Sequence, residues 1–314
     1  MKPCIYIDGA AGTTGLEIHG RLGGRDDIEL LQISESERKD LSARTQLLNE
    51  VDVAVLCLPD EAARDAVARI RNPAVRVLDA STAHRISPGW TYGLPELEPG
   101  QRIAIREAKR VSNPGCYPTG FLALVRPLVR AEVIPSDFPL AVNAISGYSG
   151  GGKAMIEEFK NESSPRYTHS VVRSYALTLS HKHVPEMQMQ AGLAHPPLFA
   201  PYVGRFYRGM IVEVPLQLWA LRGNPNPAGI HNILEDAYAR EPVIEVAPRD
   251  EIPATLDAEM LKNSDRMKLF VFGNERMGQV RLVAVLDNLG KGASGAAVQN
   301  INIMLGLPET AGLQ

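Results

Sequence analysis

Cys116 lies in Ser112-Asn113-Pro114-Gly115-Cys116-Tyr117-Pro118-Thr119-Gly120, a thiol between two Pro/Gly turn signals and just before an apolar run, 121–129, that reads as helix. A cysteine at a helix start meets backbone N–H groups and the positive end of the helix dipole, both of which favour thiolate over thiol. Cys116 is therefore the candidate nucleophile, against the commoner fate of a cytosolic cysteine as a small buried hydrophobe. The candidate proton carriers are His181 and His183, in His181-Lys182-His183-Val184-Pro185-Glu186, because imidazole titrates near neutrality. Extended backbone through that stretch would send both rings to one side. Zinc is the rival reading for His181, His183 and Glu186. Their i, i+2 spacing is not the i, i+4 pair of helical zinc hydrolases, and no third His or Cys stands nearby, so no metal is expected.

The elements that must hold these groups begin with a short apolar strand, 5–8, which runs into Gly9-Ala10-Ala11-Gly12-Thr13-Thr14-Gly15 and then into Leu16, Ile18, His19 and Leu22 at helical spacing. The glycines depart from G-x-G-x-x-G but serve the same physics: backbone without Cβ lets a pyrophosphate approach, and the helix start aims N–H groups at it. Gly9, Ala11, Gly12, Thr13, Thr14 and Gly15 are the expected dinucleotide contacts, with a plain turn as the alternative. A second strand, 28–33, ends at Ser34-Glu35 with Arg38 and Lys39 behind it. An acid there suits a free ribose 2′-hydroxyl, and a hydroxyl with basic neighbours suits a 2′-phosphate. Ser34 and Arg38 with Lys39 favour NADP, against the alternative that the two cations are solvated helix charges.

Strands at 51–58 and 75–80, separated by an amphipathic helix, extend the pattern to a doubly wound parallel sheet whose ligands bind beyond the strand ends. A Pro- and Gly-rich loop with His84, Arg85 and Tyr92-Gly93-Leu94-Pro95-Glu96-Leu97 follows, and a domain boundary is expected near Gly115. Beyond it, strand 140–145 leads into Ser146-Gly147-Tyr148-Ser149-Gly150-Gly151-Gly152-Lys153, whose glycines would wrap an anion with Lys153 adding charge. Segments 206–218 and 268–286 read as antiparallel strands, with a helix at 228–239 between them and a last helix at 296–305. The second domain is thus expected to be α+β, with helices on one face of an antiparallel sheet.

A chain of 314 residues is long for one core, which agrees with two domains. A net charge of -3 marks neither a nucleic-acid-binding nor a membrane-binding surface. Three cysteines, Cys4, Cys57 and Cys116, are too few and too odd for a disulfide framework. No cleavable leader and no run of 18 apolar residues is read, so a cytoplasmic enzyme is expected.

Taken together, GAAGTTG (9–15), DASTAHR (79–85), YGLPEL (92–97), SNPGCYPTG (112–120), SGYSGGGK (146–153), HKHVPE (181–186) and DNLGKGASGAAVQNINIMLG (287–306) resemble the N-acetyl-gamma-glutamyl-phosphate reductases of arginine biosynthesis, in their short-form subtype. The resemblance implies a Rossmann NADP-binding domain, 1–115 with 288–314, and a substrate and oligomerisation domain of the glyceraldehyde-3-phosphate dehydrogenase-like type, 116–287. It also implies NADPH-dependent reduction of N-acetyl-L-glutamyl 5-phosphate to the 5-semialdehyde with release of phosphate, in a homodimer or homotetramer. Carried over by motif, Cys116 matches the nucleophile, and His183, chosen over His181, the acid/base. Ser81 and Asn288 join the cofactor residues. Backbone N–H of Cys116, with Asn113, is expected to hold the oxyanion. Ser149, Gly150, Lys153 and Arg85 are expected on substrate phosphate and carboxylate, and Glu186 on His183 or the acetamido group. The alternatives are a related acyl-phosphate reductase, acting on aspartyl phosphate or a lysine-pathway substrate, and a non-catalytic nucleotide sensor with an unreactive Cys116.

Overall fold

The computed structural model describes every residue except Met1, Glu35 and Lys39. The chain folds as two units. In the first, strands and helices alternate: β1 (Cys4–Asp8), α1 (Thr13–Leu22), β2 (Glu29–Leu31), α2 (Leu41–Glu50), β3 (Val53–Leu56), α3 (Asp60–Arg69), β4 (Arg76–Asp79), β5 (Thr91–Tyr92), α4 (Gln101–Glu107) and β6 (Arg110–Ser112). The strands lie in the order β2-β1-β3-β4-β6-β5, every pair parallel. Because side chains alternate across a strand, Ile5, Ile7, Val53 and Val55 pack on Ile18 and Leu22 of α1, while Tyr6, Ala54 and Leu56 pack on Leu48 of α2 and Ala66 and Val67 of α3. Both faces are covered, which is why these strands read as unbroken apolar runs.

The second unit holds α5 (Cys116–Arg130), β7 (Ala141–Gly147), α6 (Gly152–Lys160), β8 (Val172–Ser174), α7 (Val184–Ala191), β9 (Leu198–Gly204), β10 (Met210–Gln217), α8 (Pro227–Tyr238), β11 (Ile244–Val246), β12 (Met267–Asn274) and β13 (Gln279–Leu286). Its sheet runs β11-β12-β13-β10-β7-β9-β8. It is mixed rather than antiparallel. The β7–β9 and β11–β12 pairs are parallel, and the first needs the long crossover that carries α6, β8 and α7. The chain then returns to the first unit in α9 (Gly295–Leu305), whose Val298 and Ile301 join the core around Ile5 and Val53.

The unit limits differ from the expected 1–115, 116–287 and 288–314. The outward crossing lies between Pro114 and Gly115, the return between Gly292 and Ala293, and Glu96–Pro99 belongs to the second unit. Ion pairs give the reason: Glu96 takes Lys291 Nζ at 2.9 Å, Glu98 takes Arg126 at 2.6 Å, and Asp287 takes Arg208 at 2.7 Å, all within the second unit.

Candidate active site

Cys116 is the first residue of α5, and Gly115 is its N-cap in extended backbone. With Pro118 lacking an N–H, the first turn offers the N–H groups of Cys116 and Tyr117, and no acid opposes the dipole there. Across from the thiol, a Cβ built on Gly292 would stand 2.9 Å from Cys116 Cβ, so only glycine lets that backbone lie so close.

A cavity of about 220 Å³ is lined by Cys116, Tyr117, Ser146, Gly147, Gly150, Gly151, Met155, Tyr175, His181, Lys182, His183 and Val203, all from the second unit. Three helix starts meet on it: Cys116 opens α5, Gly151 caps α6 and His183 caps α7. Helix N-termini carry partial positive charge and outward N–H groups, so the cavity is built for an anion beside a thiol.

The histidines reach the cavity by a turn, not by the extended backbone expected for them. His183 has φ -83 and ψ -13, and Val184 N–H closes onto His181 O at 2.9 Å. The two rings lie 4.8 Å apart at 69°. The physical reason is Pro185, seated in the first turn of α7, where its missing N–H costs nothing and its fixed φ starts a helix. Burial, with Lys182 adding to it, pushes His181 down to about 4. Burial also raises Tyr117 well above its usual range and Tyr175 to about 12, so both phenols are neutral, with Tyr175 donating to Tyr117 at 2.9 Å.

Glu186 is 2 % exposed and accepts the Gly115 N–H at 2.8 Å. It therefore ties the start of the nucleophile helix to the start of the histidine helix, and stands outside the cavity lining. Ser149 is likewise buried, its hydroxyl accepting from Asn288 Nδ2 at 2.9 Å, while Gly209 N–H donates to Asn288 Oδ1 at 2.8 Å. Ser149 and Asn288 thus brace the glycine loop. Lys153 is exposed on α6 and outside the cavity lining, where Lys182 is the cation instead. Gly150 does line it.

Asn113 and Arg85 lie in the first unit and serve its backbone. Asn113 donates its N–H to Asp79 O at 2.7 Å and its Nδ2 to Ala293 O, and its Oδ1 accepts from Asn300 Nδ2, so its polar atoms hold the turn. Arg85 donates to Asn113 O and Ala80 O. Sequence reasoning missed Tyr175 and Lys182. Lys182 had a signal, standing between the two histidines; Tyr175 had none.

The Gly9–Gly15 turn fits a dinucleotide. Gly9 has φ +90, and a Cβ there would lie 2.3 Å from Cys57 O, while one on Gly15 would lie 2.5 Å from Gly9 O. Gly12 caps α1, Thr13 and Thr14 open it, and no acid stands in its first turn. A cavity of about 410 Å³ beside it is lined by Ala11, Leu16, Gln32, Ile33 and Arg38 among others. Glu35 and Lys39 fall outside the described residues. Ser34 donates to Glu37, and Ser81 to Asp79 at 2.7 Å, so both hydroxyls are held by neighbouring acids.

Residues 5–105 match the family described as semialdehyde dehydrogenase, NAD binding domain, and 116–288 that described as semialdehyde dehydrogenase, dimerisation domain. The chain is 53% identical to N-acetyl-gamma-glutamyl-phosphate reductase 2 of Nostoc sp., covering 99% of each chain. It is also 53% identical to N-acetyl-gamma-glutamyl-phosphate reductase of Brucella anthropi, covering 98% of this chain and 99% of that one. In fold it is similar to aspartate semialdehyde dehydrogenase II from Vibrio cholerae, with a TM-score of 0.75 at 18% identity over 97% of this chain and 99% of that one.

Proposed function

The chain belongs to the N-acetyl-gamma-glutamyl-phosphate reductases, and from that premise we propose that Cys116 and His183 carry out its reaction, the reversible NADPH-dependent reduction of N-acetyl-L-glutamyl 5-phosphate to the 5-semialdehyde with release of phosphate, a step of arginine biosynthesis. The observation that carries this reading is the convergence of three helix starts on a cavity holding one thiol and two imidazoles.

His183 takes the Cys116 proton and the thiolate attacks the C5 carbonyl, so that an S–C bond forms and the π pair moves onto oxygen. When that pair returns, phosphate leaves with the C–O bonding pair and a thioester remains. The N–H groups of Cys116 and Tyr117 face the oxygen that becomes negative, and the α6 and α7 starts favour the departing phosphate. NADPH, when bound, would supply the hydride, two electrons and one hydrogen, that reduces the thioester. Collapse of the resulting hemithioacetal oxyanion expels the thiolate and frees the aldehyde, and the proton on His183 is given up to the phosphate, one proton being consumed overall. The Gly9–Gly15 turn and the α1 start are proposed to hold the cofactor pyrophosphate, and Arg38 its 2′-phosphate.

Replacing Cys116 with Ser is expected to cut phosphate-dependent NADP reduction by N-acetylglutamate semialdehyde at least about a thousandfold; wild-type turnover would sink the thioester. We also place the enzyme in the cytoplasm as a homodimer or homotetramer. Support comes from the matched dimerisation domain, from Leu198 and Tyr202 standing exposed on β9, and from three free thiols that suit a reducing compartment. Among the described residues, no helix is long and apolar enough to cross a membrane. Light scattering that returns a monomer, or fractionation into a membrane or secreted pool, would overturn this placement.

A further inference from the structure

Two histidines line the Cys116 cavity, and their bonding makes them unequal. The backbone N–H of His183 donates to Nδ1 of His181 at 3.1 Å. A ring nitrogen that accepts a hydrogen bond carries no proton, so neutral His181 keeps its one proton on Nε2. Among the described residues Nε2 has no hydrogen-bond partner. The ring sits among aromatic edges, with centroids 5.2 Å from Phe199, 5.8 Å from Tyr175 and 6.1 Å from Tyr117.

The titratable and charged groups around it are Cys116 and Tyr117 from α5, His183 and Glu186 from α7, Tyr175 from the segment after β8, and Lys182 from its own turn. Glu186, the acid in this set, accepts the Gly115 N–H. The remaining groups are phenols, a thiol, an imidazole and a cation, and none of them is a carboxylate. With its ordinary value of 6.5 pushed down to about 4, the ring is neutral at pH 7.

We propose that His181 is a fixed neutral donor, its Nε2–H binding the carbonyl oxygen as that oxygen turns negative during addition of the Cys116 sulfur and again during addition of hydride, while His183 alone carries the proton. This rests on the thioester reading of Cys116 and assigns His181 a task distinct from acid/base work. A neutral imidazole suits it, because a preorganised donor in a water-poor site stabilises developing charge without having to reorganise.

The test compares His181→Gln with His181→Ala, since glutamine places a neutral N–H donor close to where Nε2 stood but cannot relay a proton. His181→Ala is expected to lose about 10²–10³ in kcat with KM within about threefold, as for loss of an oxyanion donor. His181→Gln is expected to keep at least about ten times the alanine variant's kcat with an unshifted pH profile. Alkylation of Cys116 by iodoacetamide, which needs a formed site but no oxyanion, is expected to stay within about threefold of wild type in both. A glutamine variant less than about tenfold better than alanine, a lost limb of its pH profile, or a collapse of alkylation would each overturn the assignment. Cys116→Ser run alongside separates the two levels: if it turns over normally the thioester reading fails, whereas if it is dead and glutamine rescues nothing, the role of His181 alone fails.

Discussion

Removing Lys291 while leaving Glu96 should destabilise the second unit by an amount the structure sets. Both side chains are 1% exposed, and Nζ stands 2.9 and 3.0 Å from the two carboxylate oxygens. In Lys291→Met a carboxylate remains buried without its cation, a situation that typically costs about 3–5 kcal/mol. A ceiling exists, because the carboxylate escapes by taking a proton. Placing one on an ordinary glutamate at pH 7 costs about 1.36 kcal/mol for each of roughly 2.7 pH units, or about 3.7 kcal/mol. The expected deficit is therefore about 3–4 kcal/mol at pH 7. The sign follows from proton counting: the folded variant binds a proton that the unfolded chain does not, so stability falls as pH rises, and the deficit should shrink by about 1.4 kcal/mol per unit on going from pH 7 to pH 5. Urea unfolding of wild type, Lys291→Met, Glu96→Gln and the double variant measures this. The double variant should recover more than half the deficit, since no buried charge is left. A deficit below about 1 kcal/mol, or one that ignores pH, would refute the reasoning. The pair also bears on catalysis, because Lys291 precedes Gly292, whose backbone lies against Cys116.

Gly292→Ala should move the nucleophile itself. The new Cβ would lie 2.9 Å from Cys116 Cβ and 3.1 Å from Asp287 O, so kcat should fall by roughly a hundredfold while stability falls by only about 1–3 kcal/mol; steady-state rates with a melting curve check both. Acid should reveal His181. Because folding lowers its value from 6.5 to about 4, the unfolded chain binds the extra proton, and this contribution to stability is lost as pH falls through that window. His181→Gln should thus lose less stability than wild type between pH 6.5 and about 4, and equal losses in matched denaturant titrations would contradict it.

The helix start at Cys116 is legible because its cause is local: Pro114 and Gly115 stop a helix from beginning earlier, and an apolar stretch follows at once. The Gly9–Gly15 turn is legible for the same reason, since φ +90 at Gly9 and the close approach of Gly15 leave no room for another residue. What the sequence hides is long-range. That Glu186 accepts the Gly115 N–H, and that the polar atoms of Asn113 bond Asp79, Ala293 and Asn300, depends on partners far away in the chain. The pairing of β7 with β9 escapes notice because strand periodicity carries facing but not direction. His181 and His183 depart from the extended conformation because Pro185, which pins an extended chain in a loop, initiates a helix when it falls in the first turn.

These hidden contacts also explain how the site favours an acyl phosphate. Glu186 fixes the α5 start against α7, and the Asn288–Ser149 bond braces the loop that leads to α6. Three helix starts are thereby held at one cavity by the buried side chains of Glu186, Ser149 and Asn288. Under the proposed mechanism the thiolate of Cys116 would be favoured by those dipoles, and a phosphate seated at the same helix starts would gain from them too. Nucleophile and leaving group draw on one field, so the arrangement stabilises an anion before, during and after displacement. A carboxylate brings less charge to that field and no good leaving group to the carbon, which is why the geometry fits an activated acyl phosphate and not the free acid.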